Sequence, residues 1–138
     1  MRSSLKIEPL YVVDTNALIW YLTDDRKLGK QAARVFAAAE QGETRLLLSA
    51  IVVAELYYAD RKHKLFADFQ DVFHHLQSSP FIRFIAFEAE HVLEFDVDKE
   101  VPEMHDRIIT GLARRLHAPL LTSDPKIAET HLASIVWD

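Results

Sequence analysis

The segment Leu10-Tyr11-Val12-Val13-Asp14-Thr15-Asn16 constrains this chain more than any other. Four residues suited to a buried strand run directly into a carboxylate and two small polar residues, and Ala17 to Leu22 can continue as a short helix. So brief an apolar run fits a parallel strand covered on both faces, although periodicity alone also admits a helix. In an open α/β sheet, ligands bind in the crevice beyond the carboxyl ends of the strands. Asp14 stands at such an end. It is equally suited to cap the helix that follows, and the segment by itself leaves both roles open.

The rest of the chain repeats this alternation of strand and helix. Residues 1–9 read as a polar lead-in closed by Pro9, and residues 10–138 as one domain, long enough to bury about 68% of its unfolded surface. The spacing of Leu28, Ala32, Val35, Phe36 and Ala39 predicts an amphipathic helix to about Gln41, with Gly42 as its C′ residue. Arg45 to Leu48 reads as a strand, and Ser49 as the N-cap of a helix carrying Ile51, Val52, Glu55, Leu56 and Ala59. A helix is predicted from Lys64 to Gln77, a strand over Phe81–Ile85 and a short helix from Glu88 to about Phe95. Asp96 to Glu103 reads as a solvated acidic loop, without the Gly and the terminal Glu of a calcium-binding loop. Met104 to His117 has a core stripe of Ile108, Ile109, Leu112 and Leu116. Leu120-Leu121-Thr122 follows as a strand, Asp124 and Pro125 as N-cap and N1 of another helix, and Ser134 to Trp137 as a closing strand. The class is therefore α/β with a mainly parallel sheet.

Composition removes several functions. There is no cysteine, so no disulfide framework and no thiolate zinc site, which suits a reducing compartment and points to the cytoplasm. No apolar core of signal-peptide length precedes Asp14, and no stretch is long enough to span a membrane. The net charge of −5 confines any nucleic-acid contact to a local patch. The seven histidines include no His-Glu-x-x-His pair, and neither a Gly-x-Ser-x-Gly elbow nor a P-loop occurs.

What remains is four acids: Asp14, Glu55, Asp106 and Asp124. Two follow strands, and two lie on helices at or near an apolar face. Each has an ordinary use. Asp14 and Asp124 can cap helices, Asp106 can complement a helix dipole, and Glu55 can bury its stem at the edge of a stripe. Brought together, however, four carboxylates repel one another unless a cation lies among them. Mg²⁺ and Mn²⁺ are hard cations that take oxygen ligands and leave positions for water and phosphate. That set suits hydrolysis of a phosphodiester.

Four stretches in order, Val12-Val13-Asp14-Thr15-Asn16, Ser49 to Leu56, His105-Asp106-Arg107-Ile108-Ile109 and Leu120 to Asp124, give the chain a family likeness. It resembles PIN-domain ribonucleases, and especially the VapC-type toxins of toxin–antitoxin pairs. The resemblance extends from about Leu10 to Trp137. It implies a three-layer α/β/α fold on a five-stranded, mainly parallel sheet, metal-ligand roles for Asp14 and Asp106, and pocket roles for Glu55 and Asp124. Thr15, Asn16 and Thr122 become candidates to orient carboxylates or water. The implied enzyme is an Mg²⁺- or Mn²⁺-dependent endoribonuclease that inhibits translation, forms a homodimer and is held by a cognate antitoxin protein. Arg107, Arg114, Arg115, Arg61, Lys62 and Lys64 are candidate contacts to RNA phosphates. Leu18 to Leu22 together with Val53, Tyr57 and Tyr58 could wall a groove for an amphipathic antitoxin helix. Two features depart from the family pattern: the longer lead-in, and Gly111 where Ala is common.

Other readings are a stand-alone RNA-processing nuclease of the same family and a non-enzymatic acidic pocket that binds metal. A phosphotransferase of the haloacid-dehalogenase type would need Asp-x-Asp at the first strand, and Asn16 occupies the second position. A receiver-like module would need a Lys after a late strand, whereas Lys126 falls within a helix start.

Overall fold

The computed structural model describes residues 8–138, so residues 1–7 of the expected lead-in lie outside the described part. The apolar run that opens the domain is strand β1 (Leu10–Val13), and it takes the centre of a five-stranded, wholly parallel sheet. β2 (Arg45–Ser49) and β3 (Ile82–Ile85) lie on one side, and β4 (Leu120–Leu121) and β5 (Ile135–Val136) on the other, in the order β3-β2-β1-β4-β5. Val12 and Val13 are fully buried, as a central strand covered on both faces requires. Helices cover both faces, which gives the α/β architecture expected from the sequence. Among the described residues, no helix is long and apolar enough to cross a membrane.

The helices follow their sequence signals closely. α1 (Thr15–Leu22) is capped by Asp14, whose Oδ1 accepts from Ala17 N at 2.8 Å. α2 (Lys30–Glu40) buries Ala32, Val35, Phe36 and Ala39, and Gly42 beyond it takes the left-handed φ of +78°. α3 (Ala50–His63) is capped by Ser49. α5 (Met104–Leu116) buries Ile108, Ile109 and Leu112, but Leu116, expected in the same stripe, is exposed at the helix end. α6 (Pro125–Ala128) starts at Asp124 with proline at N1.

Two further expectations need correction. No helix begins at Lys64. That residue ends α3 in the left-handed region, with φ 52°, and the Asp60 carboxylate then accepts from Phe66 N at 2.8 Å. The next helix, α4 (Phe69–Ser78), starts only at its own cap, Asp68. The second correction concerns the acidic loop. After β3 and a 3-10 segment at Ala89–Glu94, Asp98 is not solvated but 1% exposed, with both carboxylate oxygens 3.0 Å from the guanidinium of Arg114. Glu94 adds a third bond to the same guanidinium at 3.0 Å. Gly111 explains how so bulky a pair fits against α5, because a Cβ there would stand 3.0 Å from Asp98 Oδ2.

Candidate active site

The strand order reverses about β1: β2 pairs with one edge and β4 with the other. Such a reversal leaves a crevice at the carboxyl ends of the two diverging strands. The chain leaves β1 at Asp14 and leaves β4 through Thr122-Ser123-Asp124, so both acids are delivered to that crevice. Residue Asp14 N donates to Leu121 O at 3.2 Å, which ties the two strand ends together. Asp106 in the first turn of α5 and Glu55 in the middle of α3 complete the set. Asp14, Thr15, Asn16, Glu55, Asp106 and Asp124 line one open cleft of about 480 Å³, with Ile19 and Ala59 as its apolar rim.

The capping roles and the cleft roles coexist. Asp14 caps α1 with one oxygen, and Asp124 caps α6 through Lys126 N at 2.9 Å, yet both belong to the cleft. Thr122 is buried, and its Oγ1 accepts from Asp124 N at 3.1 Å, close enough to Asp14 to lower the pKa of that carboxyl. Thr15 donates its hydroxyl to Glu55. Asn16 lines the cleft from an exposed position.

Two residues, one lining the cleft and one behind it, went unassigned in the sequence. Glu103 at the N-cap of α5 adds a fifth acid. His105 places Nδ1 2.9 Å from Glu55 Oε2, so that Glu55 is gripped at one oxygen by Thr15 and at the other by His105. His105 sits beside Asp106 in sequence, and that adjacency was its only available signal.

The carboxyls feel their surroundings. Asp14 is only 9% exposed, and burial pushes its pKa up from 3.8 to about 6; the charges of Asp106 and Asp124 add to this, and the bonds from Thr122 and Ala17 oppose it. Burial also pushes Asp106 up to about 6, helped by Asp124, Glu55 and Glu103. A carboxyl whose folded pKa lies above its unfolded value binds its proton more tightly in the folded state. Stability therefore falls as pH rises from about 4 to about 6, and the loss is complete above that window. For buried Asp14 the shift corresponds to an upper bound of about 3 kcal/mol. We expect the metal-free protein to melt several degrees higher at pH 5 than at pH 8, and Asp14→Asn to shrink that difference. Melts of the variant that keep the full wild-type difference would refute the assignment.

The donor set fits a hard cation: the charged groups lining the cleft are all carboxylates, and burial together with the neighbouring charges makes two of them resist ionising. Among the described residues no group of three or more His, Asp or Glu side chains is placed to hold a metal ion together. The site as arranged fits only a cation that takes one or two carboxylates and keeps its waters, as Mg²⁺ commonly does.

The arginines of α5 offered as phosphate contacts are engaged elsewhere. Arg107 donates to the carbonyls of Val101 at 2.6 Å and Lys99 at 3.1 Å. Arg114 holds Asp98 and Glu94, and Arg115 reaches Glu94 at 3.5 Å. Arg61, Lys62 and Lys64 remain exposed at the end of α3. The expected groove is only partly present. Ile19 reaches the cleft, but Leu18 is core, Trp20 packs on Trp137 with ring centres 5.8 Å apart, and Tyr21 stacks on Phe36 at 4.1 Å.

Comparison with known proteins agrees with this fold. No curated protein matches the sequence. The fold is similar to that in the crystal structure of VapBC2 from Rickettsia felis bound to promoter DNA, at TM-score 0.65 and 22% identity over 94% of this chain and 99% of that one. It is similar also to a toxin–antitoxin complex from Klebsiella pneumoniae, at TM-score 0.63 and 20% identity over 89% and 94%. FitAcB from Neisseria gonorrhoeae gives TM-score 0.59 and 20% identity over 91% and 96%. The model of the PIN domain matches residues 11–131, and the chain belongs to that family.

Proposed function

We propose that this protein is a metal-dependent endoribonuclease and the toxin of a VapBC-type pair, acting on RNA to inhibit translation. The observation that carries this reading is the convergence of Asp14, Glu55, Asp106 and Asp124 on one cleft at the strand-order reversal. The toxin–antitoxin complexes among its structural neighbours support the partner half of the reading.

In this scheme Asp14 and Asp106 hold the ion, with Asp124 or Glu55 assisting through water. Bound there, Mg²⁺ or Mn²⁺ supplies an activated water and offsets the charge that builds on the phosphate. Glu55, clamped by Thr15 and His105, presents a fixed acceptor that orients a water. Thr122 holds Asp14 and the turn into Asp124 in register. An antitoxin arginine entering past Ile19 and Ala59 would pair with the same carboxylates and replace the cation's charge.

The test is cleavage of RNA by the purified protein with Mn²⁺, with Mg²⁺ and with chelator, and its inhibition by the protein encoded beside it. Cleavage that persists unchanged in chelator would sink the metal half. Residues that orient ligands matter less than ligands: Thr122→Val and Glu55→Gln should each cost about 10–100-fold in turnover. Glu55→Gln should also hold or raise the melting temperature without metal, since it removes one repelling charge beside Asp106. Unaltered turnover in both variants would return these residues to purely structural roles.

A further inference from the structure

A second cavity, of about 620 Å³, lies at the other end of the sheet. The acid cleft opens at the carboxyl ends of the strands, whereas this cavity is lined by Ala118 and Ser134, on the connections that enter β4 and β5 at their amino ends. The two strands pair in parallel, Leu120 beside Ile135, and Leu120 N donates to Ser134 O at 2.7 Å, so the connections run side by side. Each brings a histidine to the cavity: His117, three residues before Leu120, and His131, four before Ile135. Arg114 and Ser134 add polar groups, and four alanines with Leu132 and Ile135 make an apolar wall. No carboxylate lines it, in a chain of net charge −5.

Both histidines hold left-handed backbone, with φ of 51° and 57°. A residue with a Cβ is disfavoured there, and a helix end that needs this conformation ordinarily uses Gly or Asn. The exits from α5 and α6 therefore account for the turns but not for the imidazoles. Strain retained at two positions that converge on one cavity calls for a use of the side chains themselves. Imidazole rings offer flat surfaces on which a base stacks. Arg114 commits Nε and Nη2 to Asp98 and Glu94, and among the described residues its Nη1 has no hydrogen-bond partner. A guanidinium anchored in this way is fixed in place for a phosphate oxygen, and Ser134 adds a hydroxyl donor. The volume falls within the range of small-ligand sites, whose lining is likewise apolar with a few convergent polar groups. We propose that this cavity binds a small ligand of the nucleoside monophosphate class, with its planar ring against His117 and His131 and its phosphate at Arg114 Nη1 and Ser134. The site is separate from the acid cleft and does not rest on the nuclease reading.

Calorimetric titration of the full chain in chelator, with AMP, adenosine and inorganic phosphate as probes, tests this. The chelator removes any cation that would draw a phosphate to the acid cleft. AMP should bind about tenfold more tightly than adenosine or phosphate, since each of those makes only part of the contacts. His117→Asn and His131→Asn should each weaken AMP about tenfold through the loss of one stacking surface. The ligand-free variants should melt at the wild-type temperature or above it, because Asn accepts left-handed backbone. Nuclear magnetic resonance fixes the place: AMP should shift the signals of His117, His131 and Ser134 and leave those of Asp14 and Asp106 unmoved. An absence of heat and of shifts at millimolar AMP overturns the proposal. Shifts confined to the acid cleft also overturn it, as does wild-type AMP affinity in both Asn variants. A melting temperature that falls in those variants while AMP affinity holds would assign the histidines to the fold alone.

Discussion

Asp14→Asn and Asp106→Asn are each expected to abolish metal-dependent RNA cleavage while leaving the protein folded. The substitution separates two uses of one side chain. Asn retains an acceptor oxygen, so at position 14 it can still take the hydrogen bond from Ala17 N and cap α1. What it loses is the charge that a divalent ion needs, in a cleft whose charged lining groups are all carboxylates. A group that merely orients a ligand costs about 10–100-fold when lost, so removal of a ligand should cost more than about 100-fold. Affinity for Mn²⁺, followed by calorimetry, should fall in parallel and gives a reading independent of turnover. Stability should not suffer. Burial and repulsion already make the ionised Asp14 unfavourable, and the neutral amide relieves both. Cleavage at the wild-type rate by either folded variant would remove that residue from the metal centre.

How much of this was legible in the sequence depended on the range over which each signal acts. β1 and Asp14 were readable because a buried parallel strand needs an unbroken apolar run and its carboxyl end needs a polar residue; both facts lie within seven positions. The caps at Ser49 and Asp124 and the left-handed Gly42 are likewise local chemistry. The break between α3 and α4 was less visible. The Phe-rich periodicity runs on past Lys64, and what stops the helix is Asp60 capturing Phe66 N, together with the separate cap at Asp68. The role of His105 was hidden for a different reason. Its partner Glu55 is 50 positions away, and no local pattern relates them. Asp98 misled for the same reason. A run of acids reads as solvated until a cation from another element, here Arg114 sixteen positions on, is found to cover one of them.

Arg114→Met should destabilise the fold by about 3 kcal/mol, the low end for a broken buried pair because Arg114 itself is a quarter exposed. Asp98 is 1% exposed and has both oxygens on one guanidinium fork. Methionine keeps the length of the side chain but leaves that carboxylate without a cation and nearly out of reach of water. For a domain with a total stability of about 5–15 kcal/mol this is a large fraction. The origin of the loss can be checked. If it is the stranded charge, a second substitution, Asp98→Leu, should recover most of it, as replacement of whole buried pairs by apolar residues often does. If instead Arg114 acts through its contacts with Glu94 and the helix surface, the double variant should be no better than the single one. Gly111 offers a further check. Alanine in mid-helix normally gains about 1 kcal/mol over glycine, but a Cβ here would crowd Asp98 Oδ2 at 3.0 Å. Gly111→Ala should therefore fail to stabilise the wild-type protein. Urea denaturation of the four proteins decides it. The consequence for the active site follows from connectivity: the loop that Asp98 anchors leads through Glu103 directly into the helix turn that carries His105 and Asp106. An ion pair two turns along α5 thus fixes how that turn enters the acid cleft, and Arg114→Met should weaken Mn²⁺ binding as well as stability, while leaving every carboxylate in place.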